Sequence, residues 1–319
     1  MAEKKVKVSI IILSWNTKEL LRRCLESVID DQQSGIRGRG LLKSKPLVSG
    51  RQIPVTEVII VDNASTDGSV EEIENFKLKN ENLYCKFKIV LNKTNLGYAR
   101  GNNIGIKQAK GQYIMILNSD TIIKKGSIEK LVNFLDKNPE IGIVGPKLIN
   151  PDGSPQANCG RFLNLPVVFM MLFKEHFGGS EYVRNSPKGS QPVDWLMGAA
   201  FLARKEVFEK IGGFDENIFM YMEEVEWFYR AAKAGFKAYF LADSEIIHLG
   251  RGSSKSGKKD PILNIYKGVI YFFKKHKSFP ELLAVKLMLK LKALLSLLVG
   301  YLKNDSYLKQ TYGEAFKIN

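Results

Sequence analysis

Two acidic segments with the same setting hold the residues of this chain best suited to chemistry. Asp120 comes three residues after the apolar run at residues 113–117, and Asn118 and Ser119 lie between them. Asp62 and Asp67 follow a second apolar run. Such runs are typical of buried parallel strands, and open α/β sheets bind ligands at the carboxyl ends of those strands. Carboxylates at both positions indicate a nucleotide and a metal-bridged phosphate, with simple capping of the following turn as the alternative for either segment alone.

A third acidic segment, Met-Glu-Glu-Val-Glu at residues 222–226, is predicted to open a helix. Spacing of three residues puts Glu223 and Glu226 on one helix face, while Glu224 points elsewhere. Negative charge also stabilises a helix start, which is the structural alternative for each glutamate. Glycines and aromatic residues precede the segment, so we interpret it as one wall of a pocket.

One histidine has the setting of a ligand. His248 follows a short strand and precedes a Gly/Ser/Arg sequence at residues 250–254, whereas His176 and His276 lack such a setting and are read as incidental. The Gly-rich motifs of dinucleotide oxidoreductases and P-loop NTPases do not occur in the sequence, nor do the nucleophile-elbow and His-Glu-x-x-His motifs. The remaining chemistry is that of carboxylates with one histidine.

Alternating strands and helices must position these groups, which predicts an α/β fold with a mostly parallel sheet and helices on both faces. Residues 34–54, rich in Gly, Pro and Arg, predict a solvated basic loop, with phosphate contact as the alternative. A further loop is expected at 178–192. We predict strands at 6–13, 57–61, 86–91, 113–117 and 238–241, and helices at 95–109, 127–137, 204–211 and 222–234.

Composition allows one large domain, or one domain with an appendage. The chain has 319 residues, of which 45% are hydrophobic and 25% charged. Its three cysteines, Cys24, Cys85 and Cys159, are widely spaced, which argues against a disulfide framework or a zinc site and fits a reducing cytosol. The first residues lead directly into a strand, so no signal peptide is expected.

The formal charge of +15 is concentrated toward the end of the chain. From Arg251 onward there are fourteen Lys or Arg against four Asp or Glu. These cations are interleaved with aliphatic residues, which favours an anionic membrane surface over nucleic acid. Residues 282–302 contain an uncharged stretch, 293–302, that is too short to cross a bilayer. We predict an interfacial amphipathic helix there, with packing on the body or a dimer contact as the alternative.

Together these segments resemble glycosyltransferase family 2, in its rhamnosyltransferase-like branch. The resemblance covers residues 6–254 and rests on seven segments in order: 61–69, 95–103, 117–120, 198–200, 211–216, the Glu223-Glu224 pair and His248. It implies a GT-A fold, a Rossmann-like α/β fold with a mostly parallel central sheet flanked by helices. Residues 1–254 would form this domain, with a nucleotide-sugar-binding half at 1–125 and an acceptor and catalytic half at 126–254. A basic amphipathic helical extension would follow at 255–319.

The resemblance also implies a role for each candidate residue. Contacts to the nucleotide-sugar donor are expected from Asn16, Asp62, Asn63, Asp67, Gly97, Arg100, Asn118, Ser119 and Asp120. Mg²⁺ or Mn²⁺ would be held by Asp120 and His248, and the diphosphate also contacted by Arg251 and Ser253. The sugar and acceptor side would include Asp194, Trp195, Gly198, Ala199 and Glu223. The alternative for Trp195 is that it is a core residue. Glu224 would be the catalytic base.

Two positions depart from the family pattern. Asn118 replaces the first acid of the D-x-D motif, so Asp120 carries most of the metal binding. Glu224 stands where the family usually has Asp, which moves the carboxylate by about 1.5 Å. Shifts of that size matter for catalysis, so Glu223 or Asp215 as the base stays open.

The implied activity is inverting, metal-dependent transfer of a sugar to a hydroxyl of a glycan or lipid-linked acceptor in cell-surface polysaccharide synthesis. Residues 145–154 resemble rhamnosyltransferases, which favours dTDP-rhamnose as donor over a UDP-sugar. The expected location is the cytoplasm, peripherally on the inner face of the plasma membrane, without nucleic acid and with the oligomeric state open. Alternatives are a decayed nucleotide-sugar-binding protein and a sugar-1-phosphate nucleotidyltransferase, although residues 14–17 lack the latter's Gly-rich loop.

Overall fold

The computed structural model describes residues 6–37, 55–80, 85–177, 180–250 and 259–318. The strands are β1 Val6–Ser14, β2 Val55–Asp62, β3 Cys85–Leu91, β4 Tyr113–Asn118, β5 Thr121–Ile123, β6 Ile141–Ile149, β7 Pro155–Gln156, β8 Cys159–Gly160, β9 Arg184–Asn185, β10 Gln191–Val193, β11 Trp195–Leu196, β12 Ala200–Arg204 and β13 Lys237–His248. The helices are α1 Lys18–Arg37, α2 Ser69–Asn80, α3 Tyr98–Ile106, α4 Ser127–Lys137, α5 Leu165–Phe177, α6 Ser180–Val183, α7 Lys205–Ile211, α8 Glu223–Lys233, α9 Lys259–His276, α10 Phe279–Leu302 and α11 Ser306–Phe316.

The central sheet is parallel on one side and mixed on the other. Its strand order is β10-β13-β6-β12-β4-β1-β2-β3, with β5 paired to β13 and β7 to β6. The pairs among β1 to β4 are parallel, whereas β12 runs antiparallel to both β4 and β6. The carboxyl ends of β1, β2 and β4 therefore meet at one edge. The predicted α/β class is confirmed.

The sheet is buried on both faces because alternate strand residues enter opposite cores. Ile11 of β1 belongs to a core shared with α3, α5, α8 and α9, while its neighbours Ile10 and Ile12 belong to a second core with α1, α2 and α4. All three isoleucines are completely buried. Strands that are apolar at every position rather than at alternate positions are what such double burial requires.

The last three helices pack onto the body of the protein. Phe272 and Phe273 of α9 are completely buried, and the Phe272 ring lies 5.0 Å from the ring of Tyr229 in α8. Val285 and Leu289 place one face of α10 in the same core. Within the part of the chain that the structure describes, no helix is long and apolar enough to cross a membrane.

The structure differs from the sequence prediction in three places. The strand predicted at 238–241 is β13, which continues to His248 through an irregular register between Leu241 and Glu245. Asp243 and Ser244 interrupt the apolar pattern there, although Ser244 is buried and donates to the Ser127 carbonyl (3.1 Å). The predicted loop at 178–192 contains α6, β9 and the start of β10. Of the predicted basic loop, 34–37 complete α1 and 38–54 lie outside the described residues.

Candidate active site

The loops at the carboxyl ends of β1 and β2 are held together by hydrogen bonds that involve side chains. The Asn16 Oδ1 atom accepts a hydrogen bond from the Thr66 backbone N–H (2.7 Å), and the Asn16 N–H donates to the Ser65 hydroxyl (2.8 Å). Asn16 and Ala64 both have positive φ, at 53° and 62°. Asparagine tolerates this left-handed region better than most residues, so its identity suits both the turn and the contact.

Asp62 and Asp67 shape these loops from within. Asp62 is 1% exposed, and its carboxylate accepts hydrogen bonds from the Ser65 N–H (2.8 Å) and hydroxyl (2.6 Å). Asp67 accepts from the Lys18 N–H (3.0 Å) and from the Ser69 N–H (3.1 Å), at the first residues of α1 and α2. Both acids therefore organise the loops. Their predicted contacts to a nucleotide stay predictions.

The first turn of α3 is fixed next to these loops. Asn63 donates to the Gly97 carbonyl (3.1 Å), and Gly97 has φ +81° with Phe219 so close that an added Cβ would lie 2.6 Å from it. Only glycine fits this position. Arg100 instead lies at the surface, 3.6 Å from Glu216, with 58% of its side chain exposed.

The turn that carries Asp120 is held from two sides. Ser119 is buried, and its hydroxyl accepts a hydrogen bond from the Thr17 hydroxyl (3.0 Å), which lies 3.1 Å from the Ser14 hydroxyl of β1. The Asn118 N–H donates to the Ala199 carbonyl (2.9 Å). These bonds fix the position of the residue that follows.

Asp120 and His248 are brought together although they lie far apart in sequence. The Nε2 atom of His248 is 3.4 Å from the Asp120 carboxylate, and both residues are at least nine-tenths buried. The Nδ1 atom lies 2.7 Å from the Gln156 Oε1, and the Gln156 amide nitrogen donates to the Asn150 Oδ1 (3.0 Å). Because an amide oxygen only accepts, Nδ1 carries the proton, and in the neutral ring Nε2 presents its lone pair toward Asp120.

This donor pair fits a divalent metal ion. A carboxylate oxygen and an imidazole nitrogen are both ligands of Mn²⁺-type cations, and a hydrogen bond to the second ring nitrogen is the usual support of a ligating histidine. Among the residues with described positions, no group of three or more His, Cys, Asp or Glu could hold a metal. Remaining ligands would come from diphosphate oxygens and water. Arg251 and Ser253, which were predicted to contact the diphosphate, lie outside the described residues.

Two carboxyl groups stand at the start of α8, those of the buried Glu223 and the partly buried Glu224. Glu223 and Glu224 each have one carboxylate oxygen, Oε2, that is inaccessible to solvent and has no hydrogen-bond partner among the described residues. The two residues before them, Tyr221 and Met222, have positive φ of 67° and 74°. Backbone strain and unsatisfied buried acids both cost stability and are concentrated at functional sites.

Burial raises the pKa of both glutamates. The negative charge of Glu224 raises the pKa of Glu223 further, while helix-start N–H groups and the Arg184 cation partly offset the rise for Glu224. Glu224 is therefore the one of the two that ionises more readily. An ionised carboxylate with an elevated pKa is the property that a general base near neutral pH requires.

Tyr98 lies within electrostatic reach of Glu223, Glu224 and Asp120. Its hydroxyl donates to the Gly198 carbonyl (2.6 Å), and an added Cβ at Gly198 would lie 2.8 Å from that hydroxyl. Burial raises the pKa of Tyr98, and the charges of Glu223, Glu224 and Asp120 raise it further. Tyr98 was not among the predicted site residues. The sequence signal for Tyr98 was its position directly after Gly97 in segment 95–103, which carries the family resemblance.

A cluster of charged groups attaches α8 to α9. Glu226, predicted to share a helix face with Glu223, is completely buried and binds Arg230 (2.9 Å), Lys275 (2.7 Å) and His276 (3.0 Å). Lys275 also lies 2.5 Å from Asp215, whose pKa this contact lowers against the opposing effect of burial. The Asp215 carboxylate is thus committed to this cluster. His276, read as incidental, is part of the same anchor.

A close helix approach supports the strained turn before Glu223. At Gly268 of α9, an added Cβ would lie 2.8 Å from the Met222 Cβ and 3.1 Å from the Tyr221 carbonyl oxygen. The absence of a side chain at this position lets α9 reach the positive-φ residues directly. The C-terminal helices therefore help to position the two glutamates.

The remaining predicted residues lie near β11 and β12. Trp195 is 7% exposed within the core, and its indole N–H donates to the Arg161 carbonyl (2.9 Å), which is the alternative placement foreseen for it. Asp194 is exposed and accepts from the Phe162 N–H (2.8 Å). Ala199 is 1% exposed. Acceptor contacts from these residues stay predictions.

The two unsatisfied glutamates should make the stability of the protein depend on pH. Because the folded pKa of Glu223 is raised, the folded state binds more protons than the unfolded state between the ordinary and the raised pKa. The free energy of unfolding therefore falls as the pH rises through that window. We expect Glu223→Gln to raise the Tm at pH 8 by at least roughly 2 °C. Thermal unfolding of both proteins at several pH values measures this.

The gain should shrink as the pH falls through the raised pKa of Glu223, because the wild-type side chain then becomes protonated. The exposed Glu209 of α7 provides the matched control, since Glu209→Gln should leave the Tm nearly unchanged at every pH. A Glu223→Gln protein less stable than wild type at pH 8 would show that this carboxylate has a stabilising partner.

Comparison with known proteins identifies the family. The model of glycosyl transferase family 2 matches residues 9–212, more than half of the chain. An N-acetylglucosaminyl-diphospho-decaprenol L-rhamnosyltransferase of Mycobacterium tuberculosis is 28% identical over 60% of this chain and 66% of its own length. A poly-beta-1,6-N-acetyl-D-glucosamine synthase of Staphylococcus epidermidis is 37% identical over 69% of this chain and 45% of its own length. The chain thus spans about two thirds or less of these curated relatives.

Solved structures share the fold. Residues 1–349 of S. aureus TarS in complex with UDP-GlcNAc superpose with a TM-score of 0.56 at 17% identity, covering 97% of this chain and 79% of that TarS chain. The mannosyltransferase PcManGT of Pyrobaculum calidifontis, in complex with GDP-Man and Mn²⁺, gives 0.55 at 15% identity, covering 97% and 73%. At these identities the likeness establishes the fold alone. The family match and the rhamnosyltransferase relative together confirm the resemblance inferred from the sequence, and this chain belongs to glycosyl transferase family 2.

Proposed function

We propose that this protein is an inverting glycosyltransferase that moves a sugar from a nucleotide-sugar donor to an acceptor hydroxyl. The observation that carries the proposal is a pair of possible metal ligands close to two further acids. Asp120 and His248 lie 3.4 Å apart. Glu223 is buried and Glu224 partly buried, each has one carboxylate oxygen without a hydrogen-bond partner among the described residues, and their charges raise the pKa of the same Tyr98 as the charge of Asp120 does. A cation-binding pair next to a base is the arrangement that transfer from a diphosphate requires.

The donor would bind along the carboxyl edge of β1, β2 and β4. The interlocked loops with Asn16, Asp62 and Asp67 would form the nucleoside site, with Asn63 and Gly97 at its border. Preformed loops cost little entropy when a ligand binds, which supports this placement. Asn118 and Ser119 would adjoin the donor next to Asp120, while Arg251 and Ser253 remain candidates for diphosphate contact. The surface position of Arg100 favours a contact at the pocket entrance.

Asp120 and His248 would hold the metal ion. Bound there, a divalent cation such as Mg²⁺ or Mn²⁺ would stabilise the charge that develops on the departing diphosphate. Gln156 supports this role by fixing the His248 ring, with Nδ1 2.7 Å from its amide oxygen. PcManGT was solved in complex with GDP-Man and Mn²⁺, and GalNAc-T7 with UDP, GalNAc and Mn²⁺, which supports a divalent metal in this fold.

Glu224 would act as the base. The acceptor oxygen bonds to the anomeric carbon while the carbon–oxygen bond to the diphosphate breaks and its electron pair leaves with the phosphate. The acceptor proton passes to the Glu224 carboxylate. Attack from the face opposite the leaving group inverts the anomeric configuration. Arg184 helps keep Glu224 ionised, since its charge lowers the pKa that burial raises.

The substrates are proposed from the relatives. Similarity to a mycobacterial L-rhamnosyltransferase supports dTDP-rhamnose as the proposed donor of this chain. The fold shared with TarS, which was solved with UDP-GlcNAc, keeps a UDP-sugar as the second choice. A lipid-linked or cell-surface glycan is the proposed acceptor, since the names of the relatives include a diphospho-decaprenol substrate and a polysaccharide synthase. Work at the inner face of the plasma membrane would follow from such an acceptor.

Thermal stabilisation by a panel of nucleotides tests the proposed donor class. UDP, dTDP, GDP and their common sugars are added to the protein with and without Mn²⁺. A ligand that binds only the folded state raises the Tm by mass action, by about 2.7 kcal/mol of stability at one hundred times its Kd. We expect a rise with one diphosphate family, enlarged by Mn²⁺. Absence of any rise would favour the decayed site that the replacement at Asn118 leaves open.

A further inference from the structure

Helix α10 exposes a continuous row of large aliphatic side chains. We call this row the leucine stripe; it consists of Leu283, Leu287, Leu291, Leu294, Leu298 and Leu302. Its members are between 48% and 78% exposed. Positions three or four residues apart lie on one helix face, and 1.5 Å per residue makes the stripe roughly 30 Å long. Soluble monomers rarely expose an apolar patch of this extent, and a larger one marks an interaction surface.

The opposite face of α10 already has its partners. Val285, Leu289, Ala293 and Gly300 are buried, and they place the helix against the core formed with α5, α9 and α11. An added Cβ at Gly300 would lie 2.9 Å from Leu308 of α11, so this contact is tight. The leucine stripe therefore contributes little to the packing of α10 and is turned away from the body.

Cations flank the exposed apolar face of α10. At 100° per residue, Lys290 and Lys286 fall beyond one edge of the stripe, whereas the other edge continues through the exposed Leu295 and Val299 to Lys292. The one acidic residue of α10 is Glu281, which forms the capping box with Ser278 in the first turn. An apolar centre with cationic borders suits the interface of an anionic bilayer. In a dimer through the same stripe, the two cationic borders would repel each other.

We propose that the leucine stripe of α10 is a docking surface for an anionic lipid bilayer, with α10 lying parallel to the membrane plane. The leucines enter the acyl boundary, and Lys286, Lys290 and Lys292 contact lipid phosphates. The proposal deepens the proposed function by naming the surface on which a lipid-linked acceptor is reached. It rests on that function only for the acceptor.

Sedimentation of the full chain with vesicles tests the proposal. Vesicles of phosphatidylcholine with phosphatidylglycerol are compared with vesicles of phosphatidylcholine alone, without any donor. We expect wild type to bind the anionic vesicles, and the triple variant Leu287→Ser, Leu291→Ser, Leu298→Ser to lose at least tenfold in affinity. Replacing Lys286, Lys290 and Lys292 with Gln should weaken binding by roughly fivefold per lysine. The control is Leu78→Ser in α2, which removes a leucine that is 71% exposed elsewhere.

Each outcome decides the matter. Binding that is unchanged in the triple-serine variant, or equally strong on neutral vesicles, would overturn the proposal. A wild-type dimer that this variant converts to a monomer would assign the stripe to a second copy of the chain. Nucleotide-induced Tm shifts are measured on the same variants. A triple-serine variant that keeps the nucleotide-induced Tm shift but loses vesicle binding would support the leucine stripe as the membrane surface. A wild-type protein that binds vesicles but shows no nucleotide-induced Tm shift would contradict only the proposed function.

Discussion

Replacing Glu224 with glutamine is expected to lower the rate of sugar transfer by about 10²–10⁴-fold. The amide has nearly the same shape but cannot accept the acceptor proton. Because Glu224 lies on α8 and the predicted nucleotide contacts lie at the ends of β1, β2 and β4, the Kd for the nucleoside diphosphate should change little. Single-turnover transfer and nucleotide binding, measured on the same preparation, separate the two effects.

The pH profile provides a second test of the same base. Glu224 must be ionised, and burial raises its pKa, with Glu223 on the same helix, Tyr98 of α3 and Arg184 of β9 as its charged or titratable neighbours. Transfer by wild type should therefore fall as the pH drops through a value above the ordinary glutamate pKa. Replacing Arg184 with Gln removes a cation that lowers this pKa, so the fall should move to higher pH.

Glu223→Gln and Glu209→Gln serve as the comparison for Glu224→Gln. Glu223 is the neighbouring candidate, and Glu209 is an exposed glutamate of α7 that should have no effect on transfer. Near-full turnover by Glu224→Gln together with loss of turnover by Glu223→Gln would transfer the role of base to Glu223.

Asp120→Ala is expected to weaken Mn²⁺-dependent donor binding by about 100-fold or more. Replacing a residue that only supports a metal ligand typically costs 10–100-fold, and loss of one of two protein ligands should cost at least as much. Donor binding without metal should change far less. Titration calorimetry with the nucleotide sugar, with and without Mn²⁺, measures both quantities.

An exposed aspartate of β13, the strand that carries His248, provides the control: Asp243→Ala should leave donor binding unaltered. Gln156→Ala should give an intermediate loss of about 10-fold, because the His248 ring loses the acceptor that fixes its tautomer. Equal donor affinity for wild type and Asp120→Ala in the presence of Mn²⁺ would remove Asp120 from the metal site.

The meeting of the proposed donor-binding loops at one edge of the sheet was predictable because strand order follows from simple rules. Apolar runs that end in acidic segments predict parallel strands, and parallel strands from alternating βα units bring their carboxyl ends to one edge. The structure accordingly pairs Ser14 with Asp62 at the ends of β1 and β2, and places the turn with Asp120 next to them. Local pattern and topology sufficed here.

The proposed catalytic side depends on contacts that local spacing does not encode. Helical spacing predicts that Glu223 and Glu226 share a helix face, but not that Lys275 and His276, about fifty residues later in the chain, bind Glu226. Nor does it predict the positive-φ residues Tyr221 and Met222 before Glu223, or the effect of Glu223 and Glu224 on the pKa of Tyr98. The composition of the basic tail predicts a separate extension. In the structure, α9 of this tail packs against Tyr221 and Met222 and binds Glu226.

Transfer in a defined mixture tests the central claim most directly. Wild-type protein is incubated with dTDP-rhamnose or UDP-sugars, Mn²⁺ and an N-acetylglucosaminyl diphosphate-lipid analogue, and the products are followed by mass spectrometry. The account predicts one glycosylated acceptor and an equal amount of nucleoside diphosphate, with neither formed by Glu224→Gln. Intact donor and acceptor after incubation with a donor that raises the Tm would contradict it and leave a protein that binds nucleotide sugars without transferring them.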